Sequence, residues 1–241
     1  MASHGGAFAK VMPCLKNKAP TAMKAISNEQ LDALCRNGTP IDSQGGYPCI
    51  VIHPDDTITK IWAQRKRLFS SRSYNPYHKR FVKNAAMLAS RGILVPEILN
   101  HAVLEGSHVG IVTYRSLPGH SIRDLLKETP GEVDIPGLCD YIFDLHEKGV
   151  LFRSIHFGNI IRLPDGSYGL IDFTDVKYFN GPVPLARRAA NLAFPLRYQE
   201  DVERIEVAKL PSIVNSYLTL LDLDTPAREQ FIKTFEDYLR R

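Results

Sequence analysis

Cysteine is scarce and long apolar runs are missing from this 241-residue sequence. The four cysteines (Cys14, Cys35, Cys49 and Cys139) are scattered without a C-x-x-C pair, which argues against a zinc site or a disulfide framework and favours reduced thiols. No apolar run reaches the roughly 18 residues of a membrane span, and the first residues lack the apolar segment of a signal peptide. We therefore expect a cytoplasmic protein.

Acidic residues are missing from one long stretch. No Asp or Glu occurs between Thr57 and Pro96, although the net charge of the whole chain is only +4. The same stretch contains nine basic residues: Lys60, Arg65, Lys66, Arg67, Arg72, Lys79, Arg80, Lys83 and Arg91. Three interpretations stay open: residues 60–91 contact an anionic glycolipid or the anionic inner membrane, they form a basic surface balanced by acids elsewhere in the fold, or, as the least favoured reading, they bind nucleic acid.

The first half of the chain is rich in short strands. Residues 1–26 lack clear periodicity and predict a loose lead-in, after which Ser27 to Gln30 (SNEQ) resembles the capping box of a short helix. Alternating and β-branched residues then predict five strands with one inserted helix. The predicted strands are 39–42, 47–53, 57–62, 95–104 and 108–114, and the inserted helix is 77–90.

Helices dominate the second half. We predict helices at 122–127 and 135–148 and helical structure from 185 onward, with two strands, 160–162 and 168–172, around the Pro-Asp-Gly turn at 164–166. A β-rich half followed by an α-rich half predicts an α+β fold. We expect one bilobal domain, with an N-lobe at 27–116 and a C-lobe at 117–241.

The strongest chemical signal lies at 145–174. The run LHEKGVLFRSIHFGN ends at Asn159, and the following run GLIDFT contains Asp172. Together they resemble the catalytic and metal-binding segments of kinase-like phosphotransferases, in which a loop of the form Asp-x-x-x-x-Asn precedes a hairpin that ends in Asp-Phe-Gly. The resemblance implies that Asn159 and Asp172 hold Mg²⁺ against the phosphates of ATP. His156 and Gly158 resemble the His-x-Gly-Asn phrase of small-molecule kinases.

The same resemblance assigns nucleotide-binding residues to the N-lobe. Lys60 matches the strand lysine that holds the nucleotide phosphates. Gly45 and Gly46 lie where a glycine-rich loop would cover those phosphates, although the G-x-G-x-x-G spacing is absent. Tyr114 belongs to the segment that resembles the hinge between the lobes, whose backbone would bind adenine.

Two positions depart from the kinase pattern. Ser154 stands where the catalytic aspartate would accept the acceptor's proton, and serine is not a base near neutral pH. General-base assistance is worth about 10²–10⁴ in rate, but phosphoryl transfer depends mostly on positioning and charge. His156 and Asp175 are the candidates to replace the aspartate. Asn84 occupies the position of the helix glutamate that would pair with Lys60, and we expect it to hydrogen-bond that lysine without charge.

Three further sequence phrases make the resemblance to kinase-like proteins more specific. The loop F-R-S-x-H-x-G-N, the helix R-F-x-x-N-A and the phrase R-G-I-x-V-P are similar to bacterial toluene tolerance proteins, in the lipopolysaccharide (Kdo/heptose) kinase family of the protein-kinase-like superfamily. The resemblance spans about residues 40–200. It implies a bacterial cytoplasmic enzyme, peripheral to the inner membrane, that uses ATP and Mg²⁺ to phosphorylate a lipopolysaccharide core sugar or another anionic envelope acceptor.

Two other functions stay open at this stage. Ser154 fits a pseudokinase, which would bind nucleotide or act as a regulatory interaction module without transferring phosphate. A choline- or aminoglycoside-type kinase is less favoured, because cationic substrates require acidic pockets and the insert around the second helix is basic. Substrate identity is the part that a fold resemblance transfers least.

Overall fold

Alternating polar and apolar residues build the N-terminal part of the protein into a sheet. The architecture comes from a computed structural model, which describes residues 22–44, 46–63, 75–205 and 210–240. The N-terminal elements are β1 (Lys24–Ile26), α1 (Asn28–Arg36), β2 (Thr39–Gln44), β3 (Tyr47–Ile52), β4 (Thr57–Trp62), α2 (Tyr77–Ala89), β5 (Glu97–Leu104) and β6 (Gly110–Arg115).

The N-terminal sheet places β4 between β3 and β6. Its strand order is β1-β5-β6-β4-β3-β2, and its neighbouring strands are antiparallel except for β1, which runs parallel to β5. Along β4, the side chains of Thr57, Thr59 and Ile61 are buried on one face. Lys60 and Trp62 therefore point to the other face, where Lys60 lies opposite Val112 of β6.

Helix α2 connects this sheet to the rest of the molecule. Its buried face includes Phe81, whose ring lies 5.6 Å from Trp62 and 5.4 Å from Tyr114 in the sheet. The same ring stacks at 4.6 Å on Phe173, which belongs to the C-terminal part. The main hydrophobic core consequently runs through both parts, while a smaller core lies between the sheet and Leu31 of α1.

The C-terminal part is mainly helical. Its strands are β7 (His120–Ser121), β8 (Val150–Phe152), β9 (Ile160–Arg162), β10 (Tyr168–Leu170) and β11 (Val176–Tyr178). Its α-helices are α3 (Ile122–Glu128), α4 (Ile135–Glu147), α5 (Leu185–Ala193), α6 (Gln199–Val202), α7 (Leu210–Thr219) and α8 (Thr225–Leu239), and single 3₁₀ turns occur at Pro130–Glu132, Phe157–Asn159 and Phe194–Arg197. Strands β10, β9 and β7 form one small antiparallel sheet, and β11 and β8 form another.

A buried polar network of His146, Tyr217 and Asn191 anchors strand β8. The two ring nitrogens of His146 lie 2.6 Å from the Tyr217 hydroxyl and 3.0 Å from Asn191 Oδ1, and Asn191 Nδ2 donates to the carbonyl of Phe152 at 2.8 Å. Because Asn191 Oδ1 only accepts, the imidazole donates from Nε2 and accepts the tyrosine proton at Nδ1. Burial lowers the pKa of His146 to about 4, so the ring is neutral at pH 7.

The fold class agrees with the expectation from sequence: the protein has an α+β fold, with a β-rich N-terminal sheet and a helical C-terminal part, which is consistent with the predicted two-lobed, kinase-like arrangement. Residues 24–26, placed in the loose lead-in, instead form β1, and residues 1–21 lie outside the described part of the chain. The division of the lobes at residue 116 stays a prediction. Within the described ranges, no helix combines the length and the apolar character that crossing a membrane requires.

Candidate active site

Lys60 and Asp172 meet where the two lobes face each other. Lys60 Nζ lies 2.6 Å from Asp172 Oδ1, although the residues are 112 positions apart in the sequence. The lysine side chain is 17% exposed and the aspartate side chain 46%. The ammonium group also lies 5.6 Å from the ring centroid of Trp62. The lysine predicted to hold phosphate and the aspartate predicted to hold metal are therefore in contact, and the aspartate carboxylate is the more exposed of the two.

The backbone of Asp172 adopts a left-handed conformation. Its φ is +52°, a region that aspartate enters more readily than most residues but that still costs about 1–3 kcal/mol. The carbonyl of Asp172 accepts a hydrogen bond of 3.0 Å from the N–H of Thr174, and the next side chain, Phe173, is fully buried against α2. The turn thus buries the phenyl ring and leaves the carboxylate partly exposed.

Asn159 is anchored beside the Asp172 segment. Its carbonyl accepts a hydrogen bond of 3.0 Å from the N–H of Ile171. Its side-chain Nδ2 donates to the carbonyl of Ser154 at 3.2 Å, and the residue is 6% exposed. With the nitrogen used in this way, the amide oxygen is the side-chain atom of Asn159 that is left to act as a ligand.

This donor set fits Mg²⁺. The ion prefers oxygen ligands, retains several waters, and in nucleotide sites is bound by one or two side chains together with the phosphates. A carboxylate from Asp172 and an amide oxygen from Asn159 meet that description. No cluster of three or more His, Cys, Asp or Glu residues suited to a metal occurs within the ranges that the structure describes. Asp172 and Asn159 would thus supply two oxygen ligands, the number that Mg²⁺ commonly takes from protein in nucleotide sites.

Asp175 is occupied by two arginines. Its Oδ1 accepts a hydrogen bond from Arg80 of α2 at 3.2 Å and another from Arg153, the residue after β8. To take a proton from an acceptor hydroxyl, this carboxylate would have to leave both guanidinium groups. Asp175 is therefore a poor candidate to replace the catalytic base that Ser154 lacks.

His156, the other candidate base, is partly buried and lies near Arg123 and the carboxylates of Asp172 and Asp201. Burial, followed by the charge of Arg123, lowers the pKa of His156, so its imidazole is neutral at pH 7. Its Nδ1 is buried and has no hydrogen-bond partner among the described residues. A Cβ at position 158 would lie 3.2 Å from this ring, which explains the glycine there. The ring could accept a proton, but no described residue hydrogen-bonds to its Nδ1 to orient it.

Sequence reasoning missed a group of side chains next to His156. The Tyr198 ring lies 5.2 Å from the ring of His156 and 5.1 Å from the Arg123 guanidinium. Arg123 forms three hydrogen bonds of 2.7–3.1 Å with Asp201, whose side chain is fully buried. Arg123 and Asp201 are 78 positions apart, so no local pattern in the sequence pairs them.

Asn84 requires a correction. The expected hydrogen bond to Lys60 is replaced by bonds from Asn84 Nδ2 to the carbonyls of Phe173, at 2.7 Å, and Thr174, at 3.3 Å. The side chain is 7% exposed and lies beneath the segment that follows Asp172. Lys60 is paired with Asp172 instead. In this structure Asn84 therefore holds the segment that follows Asp172 rather than the lysine.

Tyr114 lies inside the sheet rather than at the crossover between the lobes. It is opposite Ile58 of β4 and Ile98 of β5, so its backbone belongs to a central strand. Its side chain is 9% exposed, and burial together with the negative charge of Asp172 raises its pKa. Strand β6 ends at Arg115, so backbone groups available to bind adenine would come after that residue.

The predicted glycine loop is described only in part. Gly46 is in the turn between β2 and β3, is exposed, and has a φ of +86°, a conformation that favours glycine. A side chain there would meet no atom within 4 Å, so the backbone conformation alone explains the residue. Gly45 lies outside the described residues.

The described members of the basic stretch divide into two groups. Arg80 pairs with Asp175, and Arg91 donates to the carbonyl of Lys148 and lies 4.8 Å from the ring of Tyr178. The remaining members on α2 face solvent: Lys79 and Lys83. Arg65, Lys66, Arg67 and Arg72 lie outside the described residues. Some of the basic residues are thus balanced within the fold and others are free to meet an external anion.

Comparisons with known proteins return solved structures alone. No family model matches the chain, and no curated protein matches it. WbdD in complex with the kinase inhibitor LY294002 is 16% identical with a TM-score of 0.48, and the match covers 79% of this chain and 43% of the WbdD chain. Monomeric WbdD is 17% identical with a TM-score of 0.48, over 78% and 44%. The chain thus spans less than half the length of these two structures, and the likeness to toluene tolerance proteins stays a prediction.

Proposed function

We propose that this chain is an ATP- and Mg²⁺-dependent phosphotransferase that transfers the γ-phosphoryl group to a hydroxyl of a lipopolysaccharide core sugar or a similar anionic envelope acceptor. The observation that carries the proposal is the 2.6 Å contact between Lys60 and Asp172, with Asn159 anchored beside the same segment. A cation from the N-lobe and two oxygen ligands from the C-lobe form the set that nucleotide phosphates and their metal require.

The residues of this chain would bind and orient the two substrates. Lys60 would hold phosphate oxygens, and Asp172 and Asn159 would hold Mg²⁺, which neutralises charge on the phosphates when it is bound. The acceptor oxygen forms a bond to the γ-phosphorus as the bond to the β-phosphate oxygen breaks, ADP leaves, and the hydroxyl proton passes to water. Ser154 would orient the acceptor by hydrogen bonding, so the rate would depend on positioning.

The acid-free stretch supports an anionic acceptor. Lys79 and Lys83 are exposed one helical turn apart on α2, the helix that also contributes Arg80 beside the candidate site. A basic side chain near an anionic lipid surface gains about 1 kcal/mol. We therefore place the enzyme in the cytoplasm at the inner membrane, with glycolipid favoured over nucleic acid.

Isothermal titration calorimetry with Mg-ATP tests the first half of this function. Asp172→Ala and Lys60→Ala are expected to weaken binding at least about tenfold, because each removes a charged ligand. The matched control variants are Asp32→Ala and Lys233→Ala, which remove exposed charges on α1 and α8. Absence of binding to the wild-type protein at millimolar nucleotide, together with no effect of Asp172→Ala, would refute the proposal.

A pseudokinase is the second candidate, and the observation that favours it is Ser154 at the base position, with Asp175 occupied by two arginines. Incubation of the wild-type protein and Ser154→Asp with γ-labelled ATP and purified lipopolysaccharide core separates the two functions. Transfer by the wild-type protein eliminates the pseudokinase. Mg-ATP binding without transfer by the wild-type protein, and transfer by Ser154→Asp, would support it.

A further inference from the structure

One carboxylate joins three elements around the candidate site. Asp175 Oδ1 is bound by Arg80 of α2 and by Arg153, and the N–H of Arg153 donates to the carbonyl of Asp175 at 3.0 Å. This backbone bond lies next to the paired strands β8 and β11, where Phe152 is opposite Val176. Asp175 therefore connects α2, the catalytic loop and the segment that carries Asp172.

Helix α2 holds the same segment at two further points. Phe81 stacks on Phe173 at 4.6 Å with an angle of 17° between the rings. Asn84 donates to the carbonyls of Phe173 and Thr174. Arg80, Phe81 and Asn84 lie within about one turn of α2, so one side of the helix contacts the three residues that follow Asp172.

The polarity of this connection is the reverse of the one that the kinase resemblance predicts. The resemblance implies an acid on the helix paired with the strand lysine, but α2 has no acid. Here the helix contributes the cation, Arg80, and the segment after Asp172 contributes the anion, Asp175. Lys60 is paired with Asp172 directly.

We infer that Asp175 is a positioning residue that, with Arg80 and Arg153, fixes α2 against the segment carrying Asp172 and replaces the absent lysine–glutamate pair. The inference rests on the proposed nucleotide-binding function, because its consequence is the placement of a metal ligand. Asp172 has a left-handed backbone, and such a conformation persists only where its surroundings hold it. The three contacts from α2 hold the chain on the C-terminal side of that turn.

Exposure determines the size of the effect. The side chains of Arg80, Asp175 and Arg153 are 24%, 39% and 53% exposed, so each ion pair contributes little to global stability. The position of Asp172, the proposed metal ligand, is more sensitive, because this residue precedes Asp175 by only three positions. We expect Asp175→Asn and Arg80→Gln each to raise the Mg²⁺ concentration required for half-maximal ATP binding by roughly 3- to 10-fold.

The test combines Mg²⁺ titrations at fixed ATP with hydrogen exchange of the amides of α2. Asp175→Asn and Arg80→Gln should each accelerate exchange in α2 and shift the Mg²⁺ midpoint, and the double variant should go little further than either. Asp175→Glu, which keeps the charge, should recover part of the shift. The matched controls are Asp32→Asn and Arg36→Gln, which make the same changes on exposed positions of α1.

Any of three results would overturn the inference. In the first, Asp175→Asn leaves both exchange and the Mg²⁺ midpoint at wild-type values. In the second, the effects of the single variants add fully in the double variant. A lower melting temperature with an unchanged Mg²⁺ midpoint would also do so, because it indicates a structural role alone. Wild-type protein that binds no Mg-ATP would refute the proposed function. Hydrogen exchange in α2 would still decide whether Asp175, Arg80 and Arg153 fix α2 against the segment that carries Asp172.

Discussion

At the scale of single residues, Asp172 combines a functional side chain with an unfavourable backbone. Its φ of +52° is one that a Cβ disfavours, and glycine is free of that cost. One oxygen of the carboxylate is held by Lys60, and the side chain is 46% exposed. Asp42 and Asp56 share this left-handed conformation, so what distinguishes Asp172 is its ion pair with Lys60 rather than its backbone.

We predict that Asp172→Gly is more stable than Asp172→Ala by about 1 kcal/mol, because both lose the Lys60 ion pair but only alanine keeps the backbone strain. Urea unfolding of the two variants measures the difference. Both should lose Mg-ATP binding equally. Equal stability of the two variants would contradict the assignment of strain to this turn.

Residue identities at the centre of the site could be predicted from sequence, and their partners could not. Asn159 and Asp172 stand in a run whose spacing is local, and Lys60 lies in an alternating strand. The contacts of Asp175 with Arg80 and of Arg123 with Asp201 join residues 95 and 78 positions apart. Only the folded chain determines such pairs, so the sequence alone leaves Asp175 as a candidate base.

At the scale of elements, local chemistry predicted the longer segments well. The capping box at Ser27 and Gln30 is formed, with both of its hydrogen bonds present, and α2 begins at the predicted residue. The strands that were missed, β1, β7, β8 and β11, have two or three residues each. Such strands are too short to show an alternating pattern and are defined only by their pairing partners.

Strand β8 shows how a helical core positions an element of the site. Asn191 of α5 binds the carbonyl of Phe152 and the imidazole of His146, and all three residues are buried. Phe152 directly precedes Arg153, which binds Asp175. The network therefore connects the helices of the C-lobe to the loop that follows β8.

We predict that Asn191→Ala lowers the free energy of unfolding by about 2–4 kcal/mol, because it leaves the buried Nε2 of His146 without a partner and removes one of the two hydrogen bonds to the carbonyl of Phe152. Urea denaturation followed by circular dichroism measures the loss. Gln230→Ala, at an exposed position of α8, serves as the control and should change stability by less than about 1 kcal/mol. A loss of that small size in Asn191→Ala would show that water satisfies the network.

At the scale of the whole molecule, the described lobes are connected through the candidate site itself. The main core runs through both lobes, and its central contact is the stack of Phe81 on Phe173, directly beside Asp172. The lobes therefore cannot change their relative position without disturbing the segment that contains Asp172. Stability of the fold and geometry of the site are coupled for this reason.

Global stability should also depend on pH through buried histidines. His146 and His78 are buried, and burial lowers the pKa of each to about 4 from the ordinary value of 6.5. Between these two values the unfolded chain binds protons that the folded chain does not, so the free energy of unfolding falls as the pH is lowered. Above pH 6.5 neither histidine contributes to the dependence.

We predict that acidification from pH 6.5 toward pH 4 costs about 1 kcal/mol per pH unit for each of these two histidines. Urea unfolding at a series of pH values measures the slope, and His146→Gln should reduce it even though the variant is less stable throughout. His120→Gln, at an exposed position, should leave the slope unchanged. The slope of stability against pH, rather than the stability at one pH, tests the prediction, because a variant that merely weakens the network shifts the whole curve without flattening it. An unaltered slope in His146→Gln would mean that this imidazole becomes protonated within the folded protein.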